Sequence, residues 1–244
     1  ELAAEMAELF FETFPRYYDG AHRFSKADVA IHLVDSGPEL LRTFPRSLRV
    51  HAERILARKR IAIHLNTSVT RVTKQSVELS DGTTLETAHT IWTAGVTPNV
   101  PPHSGSITLH PSGRILVDDC FRISGRTDAF AIGDIAAIPQ ASGSPVPMLA
   151  QAARQEGAAL GQNLIRAISG EPLAPFRYRS AGSLVSLGQW EAVGTIGGIP
   201  IAGPIAWFIW RTVYLFNFAS WSKRVKIAVD WTVNLFDPRD ITKA

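Results

Sequence analysis

One cysteine, Cys120, stands in 244 residues, and a single thiol can make no intrachain disulfide, no Cys-x-x-Cys redox pair and no cysteine-rich zinc site. Flavoenzymes that work through a cysteine pair are therefore excluded. Glycine is plentiful, yet no two glycines stand at i and i+2, so the pyrophosphate-cradling pattern Gly-x-Gly-x-x-Gly occurs nowhere. The seven histidines, His22, His32, His51, His64, His89, His103 and His110, show no His-x-x-x-His ligand spacing, and none is assigned to a metal. Charge of one sign is also scarce: the formal net charge of +3 is too small to suit nucleic acid on its own. The chain opens on Glu1 with neither an initiator Met nor a charged-then-apolar leader, so no signal peptide can be read and the chain reads as truncated at its start.

What is present is greasier than a typical soluble enzyme. Hydrophobic residues make up 45% and charged residues 19%, with a mean hydropathy of +0.05, which leaves room for a membrane-facing surface. The imbalance of charge is local. From Phe176 onward eight basic residues stand against four acidic ones, and the remainder is close to neutral.

Periodicity predicts an α/β chain. Leu2, Met6, Leu9, Phe10 and Phe14 mark an amphipathic helix over 1–14. A strand over 29–35, the turn Ser36-Gly37-Pro38, a basic-faced helix over 45–59 and a strand over 61–65 form a β-α-β unit. Short strands at 70–74 and 77–80 and the Asp81-Gly82 turn lead into a returning strand that ends at Gly95. This is the latter part of a dinucleotide-binding domain. Val96 to Pro102, with three prolines, reads as a crossover; strands at 113–119 and 128–134 then lead to a helix over 148–168, a Gly-rich alternating stretch and an aromatic tail. The implied division is 1–97, 98–175 and 176–244.

Candidate binding residues lie at strand ends. Asp35 closes an apolar strand, where an acid accepts hydrogen bonds from both hydroxyls of an adenosine ribose and repels a 2′-phosphate, although Asp before Ser-Gly-Pro also suits an ordinary turn. Gly95, after Trp92-Thr93-Ala94, lets a cofactor approach the backbone or simply turns the chain. Gly133-Asp134 delivers a carboxylate suited to the hydroxyls of a flavin ribityl chain, against a plain Gly-Asp turn. The helix that begins near Pro147 offers its N-terminal amides to the pyrimidine end of a flavin, with Ala150 small enough for close packing and Gln151 and Gln155 on one face. Cys120 reads as a packed strand residue rather than a reactive thiol.

In order along the chain, HLVDSGP, IWTAGVTPN, GRILVDD, AFAIGD, PMLAQAARQEG, LGQWEAVG, AWFIWRTVYL, KRVKIAVDW and LFDPRD resemble the type II, single-subunit, non-proton-pumping NADH:quinone oxidoreductases from end to end. The resemblance implies a Rossmann-like flavoprotein with two dinucleotide-binding domains, incomplete at its N-terminus and lacking the first FAD- and NADH-binding glycine loops. It further implies FAD and NADH as cofactors, with a hydride passing from NADH to flavin and two electrons then to a membrane quinone. By the same resemblance Asp35 holds the NADH ribose, Gly95 lies near NADH, Asp134 after Gly133 holds the ribityl chain, and Gln151 and Gln155 lie where the flavin, NADH and quinone sites converge. Glu1 matches an acid close to the flavin. One departure stands out: the family's paired glutamines are Gln155-Glu156 here, after Arg154.

Ile196 to Ala219 carries one charge, Arg211, so a transmembrane helix has to be weighed. Gly197, Gly198, Pro200, Gly203 and Pro204 break its first part, leaving about 16 helical residues, roughly 24 Å against a core of about 30 Å. Two interfacial amphipathic helices, about 205–218 and 221–235, suit the sequence better, with Trp207, Trp210, Trp221 and Trp231 at the lipid boundary and Lys223, Arg224 and Lys226 toward anionic headgroups. The expectation is a peripheral, monotopic protein on the cytoplasmic face that meets the bilayer through 204–236, binds no nucleic acid, and has aromatic faces that also suit a homodimer. A non-catalytic membrane-binding or dimerisation fragment, and a soluble pyridine nucleotide-flavin reductase of the same fold, are the alternatives.

Overall fold

The opening apolar spacing produces helix α1 (Leu2–Glu8), which widens into a π-helical turn (Leu9–Thr13) and resumes as α2 (Phe14–Tyr17). Pro15 explains the widening, because it has no N–H for the Phe11 carbonyl and its ring crowds that group. The computed structural model describes residues 1–18, 25–102, 105–218 and 220–233. His22, His103 and the LFDPRD segment lie outside them, as do the last residues of the helix expected over 221–235 and of the lipid-facing stretch 204–236.

Strand β1 (Ile31–Val34), helix α3 (Arg46–Arg58) and strand β2 (Ile61–His64) form the expected β-α-β unit, the strands parallel with Ile31 opposite Ile61 and Val34 opposite His64. An antiparallel meander of β3 (Val69–Val72), β4 (Ser76–Leu79) and β5 (Thr84–Glu86) follows. The strand expected to end at Gly95 does not form: residues 87–95 pair with no strand among the described residues, and Ile91 and Trp92 are 53% and 64% exposed. A strand exists through its partner's hydrogen bonds, and apolar character without a partner is not enough.

The strands expected over 113–119 and 128–134 shrink for the same reason. Strand β6 (Ile115–Leu116) pairs in parallel with β7 (Ala136–Ala137), while Phe130 makes only an isolated bridge to Arg122. Between them Gly133–Ile135 is a 3-10 turn. Cys120 sits in a turn rather than a strand, where the Asp118 carboxylate accepts from the amides of Cys120 and Arg122. Helix α4 (Ala150–Ile168) forms nearly as the sequence predicts.

The Gly-rich stretch becomes an antiparallel sheet of β8 (Gly182–Ser186), β9 (Ala192–Ile196) and β10 (Ile199–Ala202), followed by α5 (Gly203–Phe216) and α6 (Trp221–Val233).

These elements gather into two compact units, Glu1–Ile91 with Gly182–Ala244, and Trp92–Ala181. The sequence divided the chain at 97 and 175, and by contacts the last segment packs with the first. Ala4 and Ala7 of α1, Leu48, Ala52 and Ile55 of α3, Ile61 of β2, and Leu187 and Val193 from the β8–β9 hairpin share a single buried cluster. Each large aliphatic side chain there contributes roughly 1.5–3 kcal/mol. Ala192, Ala206 and Trp207 make a smaller cluster that seats α5 on the sheet. The second unit is built around Ile115, Val117, Phe121, Ile123, Ala131, Ile138, Val146 and Phe176, with Ala152 joining α4 to them.

Candidate functional site

Three of the predicted cofactor residues come together in the second unit. Gly133 has φ +75°, a left-handed conformation that suits glycine, and it opens the 3-10 turn that carries the exposed Asp134. The Gly133 amide donates to Glu156 Oε2 at 2.6 Å. Glu156 lies on α4 and is 2% exposed. Burial pushes its carboxyl above the usual range, the Gly133 amide works against that, Asp134 adds to it, and Arg114 opposes it. Arg114 is itself buried and donates through Nη1 to the Val146 carbonyl at 2.7 Å. Glu156 therefore pins the Asp134 turn to the helix that bears the two glutamines. The sequence reading noticed Glu156 only as a departure from paired glutamines.

Helix α4 starts at the exposed Ala150, behind Leu149 in extended conformation, and no side chain caps its first amides. Those amides carry the partial positive charge of a helix start. Gln151 and Gln155 do share a face, and both grip the segment after the helix. Gln151 Oε1 accepts from the Tyr178 hydroxyl at 2.7 Å, while Gln155 donates to the Arg179 carbonyl at 2.9 Å and accepts from the Arg179 amide at 3.2 Å. One turn pair further on, Asn163 clasps the amide and carbonyl of Ala174, each at 2.9 Å. Gln155 thus has both ends of its amide in use, whereas the Gln151 NH₂ makes no hydrogen bond among the described residues. Gly95 belongs to the same unit, exposed with φ +103° and no atom within 4 Å of where a Cβ would sit.

Asp35 and Glu1 belong to the first unit. The Asp35 amide continues the parallel ladder to the His64 carbonyl at 2.9 Å, and its Oδ1 accepts from the Gly37 amide at 2.7 Å. A carboxylate in such a turn keeps its second oxygen for a ligand. A Cβ on the buried Gly37 would meet the Arg42 guanidinium and Asp35 Oδ1 at about 3 Å, so glycine is needed for close approach and Arg42 stands beside the acid. Arg42 was not singled out from the sequence. Glu1 accepts from the Ser186 amide at 2.8 Å. Glu5 reaches Ser186 Oγ at 3.5 Å, and Glu8, 5% exposed, accepts from Lys59 at 2.5 Å and the Gln189 amide at 2.6 Å. Three acids of one helix face thereby hold the β8–β9 hairpin.

In the tail, Arg211 lies between the Trp207 and Trp231 rings, 4.4 and 4.5 Å from their centroids. The lone charge of the apolar stretch is thereby held by α5 and α6 together. Trp221, Val225, Val229 and Val233, at i, i+4, i+8 and i+12, form an exposed apolar stripe along α6, and Ile205 and Phe216 are exposed on α5. Among the described residues no helix is long and apolar enough to cross a membrane. Asp118, Asp119 and Cys120 cluster in an exposed turn, but burial and then Asp119 push the thiol up to about 11, so little thiolate is present at neutral pH.

A family model described as pyridine nucleotide-disulphide oxidoreductase matches residues 6–157, and one described as the NDH2 C-terminal domain matches 181–240. The chain is 29% identical over 261 residues to the internal alternative NAD(P)H-ubiquinone oxidoreductase A1, mitochondrial, of Arabidopsis thaliana, covering 100% of this chain and 50% of that protein. Against the type II NADH:quinone oxidoreductase Ndh of Mycobacterium tuberculosis it is 28% identical over 251 residues, covering 98% and 52%. The structure of NDH2 from Plasmodium falciparum in complex with NADH superimposes with a TM-score of 0.81 at 17% identity, covering 100% of this chain and 64% of that one, a likeness of fold. The chain spans about half the length of the curated relatives it matches.

Proposed function

Because the chain belongs to the pyridine nucleotide-disulphide oxidoreductase family, we propose that it is the NADH-side, flavin-flanking and quinone-side part of a type II NADH:quinone oxidoreductase. The carrying observation is the Glu156–Gly133 bond, which ties an exposed carboxylate on a turn to a helix with an uncapped start and two glutamines on one face. Open space beside Gly133 and the acidity of Asp134 fit a flavin polyol. FAD, when bound, supplies the two-electron chemistry between NADH and quinone.

The chain's own residues bind and orient. Asp134 accepts hydrogen bonds from ribityl hydroxyls, and the first amides of α4 from Ala150 stabilise negative charge placed before them. Asp35 selects a ribose with a free 2′-hydroxyl. Gln151 offers its NH₂ to a quinone carbonyl, while Gln155 keeps the 178–179 segment in place; the sequence had given both glutamines the same role. Glu1, engaged by Ser186, acts on the nicotinamide side through its remaining oxygen. Gly95 lets the nucleotide approach the backbone. The α6 stripe, bordered by Lys223 and Lys226, docks on an anionic bilayer, the phase that holds a membrane quinone.

The test uses the full-length gene product that carries this chain, reconstituted on anionic liposomes and assayed for flavin absorbance and NADH-dependent quinone reduction. Asp134→Ala is expected to lower flavin retention about tenfold or more, as loss of charge-assisted hydrogen bonds implies, and Gln151→Ala to raise the quinone KM with flavin retained. Unchanged flavin content in the first and unchanged quinone kinetics in the second sink the reading. Full quinone turnover with no liposome association leaves a soluble flavin reductase of the same fold.

A further inference from the structure

The loop that leaves β1 sets a positive charge beside Asp35. Leu40 and Phe44 sink into the core of the first unit, 7% and 8% exposed, while Arg42 between them stays exposed. The Phe44 amide closes this loop on the Leu41 carbonyl at 2.8 Å. Leu41 has φ +51°, a left-handed conformation that a residue with a bulky side chain adopts only at a cost. Beyond that strained step the Arg42 guanidinium lies back over the buried Gly37. A Cβ on Gly37 would stand 2.9 Å from Arg42 Cζ, 3.0 Å from Arg42 Nε and 3.0 Å from Asp35 Oδ1. Guanidinium and carboxylate thus flank one point, with Nε and Oδ1 separated by at most twice that last distance. We propose that Arg42 is a second specificity residue of the nucleotide site, which takes the 2′-phosphate of NADPH so that the enzyme accepts both reduced nicotinamide nucleotides. The proposal rests on reading Asp35 as the ribose acid.

An acid alone at this place favours a free 2′-hydroxyl and repels a 2′-phosphate, whereas an arginine beside it accommodates the phosphate. The guanidinium is always charged and presents its donors in a planar fork that matches phosphate oxygens. Arg42 makes no hydrogen bond or ion pair among the described residues, so the whole fork is open to a ligand. The other acid of the loop, Glu39, is taken by Arg49 and does not neutralise it. Asp35 Oδ1 is engaged by the Gly37 amide at 2.7 Å, and the two side chains stand close without bonding one another. Their charges cancel, and the turn presents no net negative charge to a group on the 2′-oxygen. A free hydroxyl donates to the second oxygen of Asp35, and a 2′-phosphate pairs with Arg42, whose exposed side chain can rotate toward it or away. A guanidinium that merely covered Gly37 would act alike on either nucleotide.

The experiment uses the full-length gene product that carries this chain. Calorimetry measures the binding of 5′-AMP and of 2′,5′-ADP, which differ only in the 2′-phosphate, and steady-state assays measure kcat/KM for NADH and NADPH with a quinone acceptor. The wild type is expected to bind 2′,5′-ADP and to oxidise NADPH. Arg42→Ala is expected to lower the affinity for 2′,5′-ADP relative to 5′-AMP, and kcat/KM for NADPH relative to NADH, each by about tenfold or more, as loss of a charge-assisted pair implies. Arg42→Lys keeps the charge without the fork and should fall between the two. Ratios equal in the wild type and Arg42→Ala overturn the proposal, and so does a wild type that binds no 2′,5′-ADP. Asp35→Ser separates this failure from that of the reading beneath it. Ratios moved by Asp35→Ser but not by Arg42→Ala refute the role of Arg42 alone, and ratios moved by neither refute a nucleotide site at this turn.

Discussion

Replacing Glu156 separates two things that its carboxylate does at once. In Glu156→Ala the Gly133 amide loses its acceptor, and an orphaned buried donor costs about 1–3 kcal/mol. One buried methylene is lost with it, at about 0.8 kcal/mol. Against this, the ionised carboxylate is held in a place that disfavours its charge, and removing it returns part of the loss. The net expectation at neutral pH is a destabilisation of roughly 1–3 kcal/mol. Glu156→Gln keeps an acceptor for Gly133 and is expected to stay within about 1 kcal/mol of the wild type. The pH dependence has a definite sign. The folded chain binds the Glu156 proton more tightly than the unfolded chain, so this contribution is fully present below the ordinary glutamate value of about 4.3 and is lost as pH rises through the raised one. Glu156→Gln lacks that loss, so its stability relative to the wild type must improve between pH 4 and neutrality. Urea unfolding followed by far-UV circular dichroism measures both effects, and hydrogen exchange at the Gly133 amide reports the bond itself. An alanine variant with an unchanged midpoint and a protected Gly133 amide refutes the pin, and a glutamine–wild-type difference independent of pH refutes the electrostatic part.

Asp35→Ser in the full-length enzyme is expected to shift the kcat/KM ratio toward NADPH by about tenfold or more, since the repelling carboxylate is gone and Arg42 remains beside the site; an unaltered ratio removes Asp35 from ribose selection. Glu8→Ala leaves Lys59 and the Gln189 amide without their buried acceptor, and a urea midpoint should report a loss of about 3–5 kcal/mol. Arg211→Ala removes a cation held between two indoles, worth about 1–2 kcal/mol, and tryptophan emission should shift to the red as Trp207 and Trp231 gain water; an unshifted spectrum counts against the clamp.

Local periodicity made the helices legible. The stretches now seen as α3, α4, α5 and α6 all announce themselves through apolar residues at helical spacing and the Gly and Pro that bound them. Strand extent was not legible, because GRILVDD and DAFAIGD have strand composition, yet the first keeps only Ile115 and Leu116 in a ladder and the second only the isolated bridge of Phe130; pairing is decided by what lies alongside, which a single segment does not encode. The π turn before Pro15 needed knowledge of how the helix absorbs an imino acid. Asp134 and the helix carrying Gln151 and Gln155 were readable as a motif, yet Glu156 was not, since its role depends on contact with a glycine 23 residues earlier. The hydrogen bond between His32 and His64 escaped for the same reason, its partners being 32 residues apart in sequence and 3.0 Å apart in space.

The grouping of the C-terminal sheet with the opening helix bears on how such a chain can work. Ile31 and Leu33 of β1, the strand that ends at Asp35, pack against the same cluster as Ala4, Ala7, Leu187 and Val193. The adjoining Ala192 packs with Trp207 of α5, and Trp207 stacks on Arg211, which reaches α6. A continuous path of close contacts therefore runs from the strand bearing the proposed ribose acid to the helices bearing the apolar stripe. Packed interiors transmit displacement because they are dense, and the clasp of Glu1, Glu5 and Glu8 on residues 186–189 resists sliding between helix and hairpin. In the proposed docking, α5, α6 and the strand that ends at Asp35 belong to one compact unit. Coupling of this kind is physical only if breaking the path uncouples its ends, and Glu8 is the buried charge at its centre.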